Sequence, residues 1–243
     1  MLSLRAATLN SDQVLELNRR LELMPQLLRR QIEEQISTLV PLPEEWLSEQ
    51  REAFLGAATL EDGLSAHGWL EADLDLHLRR PEALKRFAEQ RFGPGLEEQF
   101  LTHGAQRDTI IYSLIRVRDR ALAQELWIRL EEQEMTFAEA ALSFGEGPEA
   151  DRKGVIGPLP IGQLQPQVLA DSLRRLQPGE LHPPFQLGEW QVLMRLEKLT
   201  PASFDAHTRE QMLQEQLNSF LNARVEQLLA GETPDPLHYD APQ

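Results

Sequence analysis

The chain has 243 residues, 41% of them apolar but only 6% aromatic, enough for one large domain or two modest ones with a core built largely from leucine. Its formal charge of −15 is repelled by phosphate backbones and anionic lipid surfaces, which argues against nucleic acid as a partner and leaves a basic or proline-rich polypeptide compatible. It contains no cysteine, so disulfides, thiolate catalysis and cysteine-based metal sites are excluded.

The opening MLSLRAATLNSDQ has an early arginine but no continuous apolar core and no small-residue cleavage site. No stretch approaches 18 apolar residues. The expectation is a soluble, cytoplasmic protein without membrane insertion, free to work on the cytoplasmic face of a membrane machine.

Residues 11–101 read as a run of helices. Val14, Leu17, Leu21, Leu28, Ile32 and Ile36 fall near helical spacing, with Pro25 interrupting and suited to the first position of a new helix. Pro41 and Pro43 mark the next break, and residues 44–55 resume. Thr59-Leu-Glu-Asp62 is a capping signal. A long helical segment from Trp69 carries Leu74, Leu78, Leu84 and Phe87 and is expected to be interrupted at Pro81. Gly93-Pro94-Gly95 is a turn.

The texture changes after Gly104. Residues 108–117 hold Ile110, Ile111, Tyr112, Leu114, Ile115 and Val117, a β-rich and mostly continuous apolar run like a buried strand. Residues 121–134 suit a helix, and Thr136-Phe-Ala-Glu139 is a capping box opening another. Residues 145–167 are rich in Gly and Pro and read as loop with at most short strands. Residues 168–176 form a short helix ended by Pro178-Gly179, and residues 190–196 a final strand. From Phe204 the helical period returns, with Leu213, Leu217, Phe220, Leu221, Val225, Leu228 and Leu229 on one broad stripe that needs a partner. The tail after Gly231 is Pro-rich and expected to be mobile.

The order of these pieces resembles the parvulin-type peptidyl-prolyl isomerases. The strand 111–117 resembles the family's first strand, and Phe137-Ala138 with Ala141 its F-x-x-A helix. Glu146-Gly147-Pro148 and then Gly154-Val155-Ile156-Gly157 resemble its acidic turn and G-D-L-G segment. Gly162-Gln163-Leu164-x-Pro166 resembles its G-Q-M-x-P loop. Gly179-Glu180, Pro183-Pro184-Phe185 and Gly188 complete the set, over about 90 residues. The flanking helices resemble the SurA-like chaperones, in a leaderless, cyanobacterial-type branch. The resemblance implies an α+β fold: a helical SurA-like domain at 1–106, an inserted parvulin-like β-α-α-α-β module at 107–200, and a C-terminal helix at 201–243 that packs back on the first domain.

Family members accelerate rotation about the prolyl bond by holding the ring against apolar walls above a polar floor of two histidines and an Asp or Cys. Carried over, Leu164 matches the Met/Leu wall and Val168 stands at the Phe position, with Phe185 able to add apolar area. Ser113, or its neighbour, falls at the first histidine and Gln191 at the second. Gly147, beside Glu146, falls at the Asp/Cys position, and Val155 replaces the acid of G-D-L-G. Ser113, Leu164, Val168, Phe185 and Gln191 are thus the candidate substrate-binding residues, with no certain catalytic residue, no metal and no cofactor.

Each has an ordinary alternative. Leu164 and Phe185 also suit a core, the glycines suit turns, Trp190 suits strand packing, and Glu146 suits a solvated turn. His182 lies in a Pro-rich edge segment, and the other five histidines are scattered without ligand spacing. The expected function is a peptidyl-prolyl isomerase-like chaperone for unfolded or proline-containing polypeptides. The alternative is a catalytically inactive parvulin-like scaffold serving as chaperone, assembly factor or protein-export accessory.

Overall fold

The structure, a computed structural model, describes residues 11–240. The chain divides into two compact units: one formed by the segments up to Leu96 and from Asp205 onward, the other by Glu97–Phe204. The fold class is α+β, with the strand-bearing module inserted into a helical unit made from two stretches of chain.

The helical unit contains α1 (Ser11–Arg20), α2 (Met24–Leu39), α3 (Glu44–Leu55), α4 (Leu60–His67) and α5 (Glu71–Phe92), joined by α10 (Ala206–Leu229). Its core follows from spacing. Ile32, Ile36 and Val40 recur every four residues at one side of α2 and its C-cap, and Leu217, Leu221 and Val225 do so on α10. Phe87, with Ala83 and Ala88, completes the cluster from α5. Small residues beside a large one let the helices approach closely.

Polar ties fix the arrangement. Arg29 of α2 donates to Asn218 at 2.6 Å and to Asn222 at 2.9 Å on α10. It also holds the buried Glu33 at 3.1 Å, and Arg30 binds the other Glu33 oxygen at 2.7 Å. Thr59 caps α4 through the Asp62 N–H. Pro81 does not break α5, which runs through it. Burial of Leu74 before the proline and of Ala83 and Phe87 after it offsets the one lost backbone bond. In the tail, Leu237 and Tyr239 pack against the helical core.

The module begins within α6 (Leu96–His103) and builds a four-stranded antiparallel sheet. The strands are β1 (Thr109–Val117), β2 (Val155–Pro160), β3 (Leu181–Leu187) and β4 (Trp190–Thr200), in the order β2-β1-β4-β3. β1 is mostly apolar because both its faces are covered. Ile110, Tyr112 and Leu114 join Val192, Met194 and Leu196 on one face, beneath α9 (Gln167–Leu173) and the segment leading into it. Ile115, Val117 and Leu193 face the other way, against α7 (Arg120–Glu131) and α8 (Phe137–Phe144). The two edge strands carry the prolines, where missing N–H donors are tolerated. Gly157 in β2 has φ +113°, and a Cβ there would lie 2.5 Å from the Ile110 carbonyl. Only glycine permits that approach.

Candidate functional site

Leu164 reaches the sheet from a tight turn. Its N–H bonds to the Ile161 carbonyl, and Pro166 then caps α9. Leu164 is 5% exposed and packs in one cluster with Tyr112, Leu114, Val192 and Met194, with Phe185 and Trp190 half-buried against it. The structure therefore brings Leu164 and Phe185 together. Val168, on the first turn of α9, stays 44% exposed.

Ser113 and Gln191 are not brought to this face. Ser113 is 1% exposed, and its hydroxyl donates to Glu197 at 2.5 Å. Glu197 also accepts from Arg195 at 2.9 Å, and Arg195 lies 5.2 Å from the Phe137 ring, which marks the α7–α8 side. Gln191 pairs with Val117, whose side chain belongs to that same side. The sheet separates both residues from Leu164. Side chains alternate along a strand, so one residue of register carries a position to the opposite face.

The polar floor on the Leu164 face comes from other residues. Tyr112 and Arg116 flank Leu114 along β1. Glu149, only 6% exposed, accepts a bidentate pair from Arg116, at 2.9 Å from Nε and with a second short bond from Nη2. Its backbone carbonyl accepts from Gly154 at 2.9 Å and Arg152 at 3.0 Å, which fixes the turn that delivers it. A Cβ at Gly147 would stand 2.2 Å from the Glu149 carboxylate. The space for a side chain at 147, where the family acid or thiol is expected, is thus filled by an acid from two residues further on.

Electrostatics keep these groups in single states. The bond to Glu149 raises the Arg116 guanidinium, outweighing burial, so it remains a cation. Burial and then the Glu149 charge push the Tyr112 phenol above its ordinary value, so it remains a neutral donor. Arg118 lies 4.3 Å and Arg116 6.0 Å from the Trp190 ring centroid, a cation–π arrangement at the edge of the site. Glu146 holds Arg118 through its backbone N–H and its Nη1, each at 2.8 Å.

A histidine is also delivered here. His182 on β3 pairs with Met194, and its ring sits edge-on to Phe185 at 5.1 Å. In the sequence His182 reads as incidental, because Pro183 and Pro184 disguise β3. Glu149 was missed because a turn, not a periodic element, carries it; the available signal was the acid just after Gly147-Pro148. Among the described residues, no group of three or more His, Asp or Glu is placed to hold a metal ion.

Residues 116–198 match the family model described as the PPIC-type PPIase domain, the rotamases. The chain carries a parvulin-type peptidyl-prolyl isomerase domain, set between helical flanks. Among solved structures it is similar to a peptidylprolyl isomerase (PrsA) from Bacillus cereus, at 15% identity and TM-score 0.49, covering 96% of this chain and 91% of that one. It is similar to PrsA from Bacillus anthracis at 14% identity and TM-score 0.46, covering 87% and 100%. A third similarity, from work on two SurA-like chaperones of Campylobacter jejuni, has 12% identity and TM-score 0.38, covering 73% and 78%. No curated protein matches the chain.

Proposed function

We propose that this protein is a parvulin-type folding chaperone that binds proline-containing segments of unfolded polypeptides and accelerates their cis–trans isomerisation. The observation that carries the reading is the joining of the Leu164–Phe185 wall to the Tyr112 and Arg116–Glu149 floor on one sheet face. The barrier for an ordinary peptide bond is about 18–20 kcal/mol. Prolyl exchange takes about 10–100 s uncatalysed. An apolar wall favours the twisted imide, whose charge separation is smaller than that of the planar form. Selective binding of that twisted state is what speeds the step. Tyr112 and the Arg116–Glu149 pair give that wall a fixed polar floor. No proton need be transferred. Clients of this kind arise where chains await export or assembly, and we place the protein beside such machinery.

A second reading is favoured by one observation: Arg116 and Glu149 are closed upon each other, as they would be in a module that binds without turning over. Exchange NMR on a peptide with one Xaa-Pro bond separates the readings. Faster exchange with catalytic amounts of protein supports isomerisation. Unchanged exchange, with suppressed aggregation of an unfolded client, assigns the module to binding alone. Neither effect removes both readings.

A further inference from the structure

The helical unit has a groove of about 980 Å³ lined by Pro41, Leu42 and Pro43, by the polar face of α5 from Glu82 to Gln90, and by Arg209 of α10. The chain's own tail, at Tyr239 and Asp240, also lines it. A second cavity of about 420 Å³ lies against α2 and α10 and is walled by the tail at 234–237. The tail, without helix or strand, runs from one to the other.

How the tail is held indicates what the groove recognises. The Gln90 side-chain amide reads a single residue twice: Nε2 donates to the Asp240 carbonyl, and Oε1 accepts from the Asp240 N–H at 3.2 Å. A strand edge pairs with an extended peptide in the same way. Arg224 donates to the Asp235 carbonyl at 2.5 Å. These fixtures bind main chain, which every polypeptide offers. Leu237 and Tyr239 anchor the segment through side chains, each half-buried against the helical core. Pro234 and Pro236 hold it extended at little entropic cost. Most of its other side chains are exposed.

We propose that residues 232–240 are an internal stand-in for a client. The groove takes extended, proline-spaced segments of unfolded polypeptide with leucine or aromatic anchors, and the tail occupies it until such a segment displaces it. This rests on the chaperone reading above and adds a site in the helical unit together with its regulation. A tail that occupies the groove about 90% of the time weakens client affinity about tenfold.

The test uses the full chain and reduced, carboxymethylated α-lactalbumin as a permanently unfolded client. The doubly substituted Leu237→Ser, Tyr239→Ser chain should bind that client about tenfold more tightly than wild type. A synthetic peptide of residues 232–240 should displace the client from it. Independently, hydrogen exchange on the wild-type chain should show the Asp240 amide losing protection when client saturates, which holds whether or not the variant folds. Equal or weaker affinity of a folded variant, a peptide that fails to compete, or retained Asp240 protection overturns the proposal and leaves the chaperone reading standing. Client binding by neither chain removes both.

Discussion

Removing the Glu149 carboxylate leaves the Arg116 guanidinium without its bidentate partner. Breaking a buried pair costs about 3–5 kcal/mol. The Arg116 side chain is 28% exposed, and water can compensate part of that. Glu149→Gln should therefore destabilise the module by about 2–3 kcal/mol in chemical denaturation. Gly147→Ala should act through the same pair, because its new methyl meets the carboxylate; about 1–3 kcal/mol is expected. A Gly147→Ala protein as stable as wild type would show that Glu149 does not hold the position described. The frame of the site was legible in the residues around Leu164 and Phe185. Its floor was not, because β1 is apolar on both faces, so composition could not tell whether Ser113 or its neighbours shared a face with Leu164. The alternation of side chains decided that, through pairings invisible in a single sequence.

At the scale of elements, strength of signal tracked position in the fold. The central strands β1 and β4 carry long apolar runs and were visible, whereas the edge strands β2 and β3 carry Pro158, Pro160, Pro183 and Pro184 and read as loop. Capping was legible and has a pH signature. The Thr136 backbone N–H and hydroxyl bond to Glu139 and hold its carboxyl below the usual range. A depressed carboxyl contributes stability above its unfolded value, and that contribution is lost as pH falls through the folded value. Protection of the first amides of α8 should fall below about pH 4 while the sheet stays protected. In the helical unit, Trp69 is sandwiched between His67 at 4.4 Å and His77 at 4.0 Å. Burial, followed by the Arg80 charge, lowers His77. The unit's stability should therefore be fully present above about pH 6.5 and decline as pH falls through the His77 value, monitored by denaturation at successive pH. A helical unit equally stable at pH 5 and pH 7.5 would contradict this.

The whole molecule pairs a discontinuous helical unit with a continuous module, and the two should respond differently to truncation. Ending the chain at Phe204 removes α10 and uncovers the apolar faces of α2 and α5 that Leu217, Leu221 and Val225 cover. The helical unit should then lose its cooperative fold, whereas residues 97–204 should keep a dispersed NMR spectrum, since their clusters are internal. Under the proposed function the Leu164 face, not the opposite one, handles proline. Its most direct measurement is exchange NMR on an Xaa-Pro peptide with catalytic amounts of wild-type, Leu164→Ala and Gln191→Ala chains, each checked for an intact sheet. Exchange should be faster with wild type, fall tenfold or more in Leu164→Ala at about 1.4 kcal/mol per tenfold, and change little in Gln191→Ala. Equal exchange with and without wild-type protein, or a loss confined to Gln191→Ala, would contradict it.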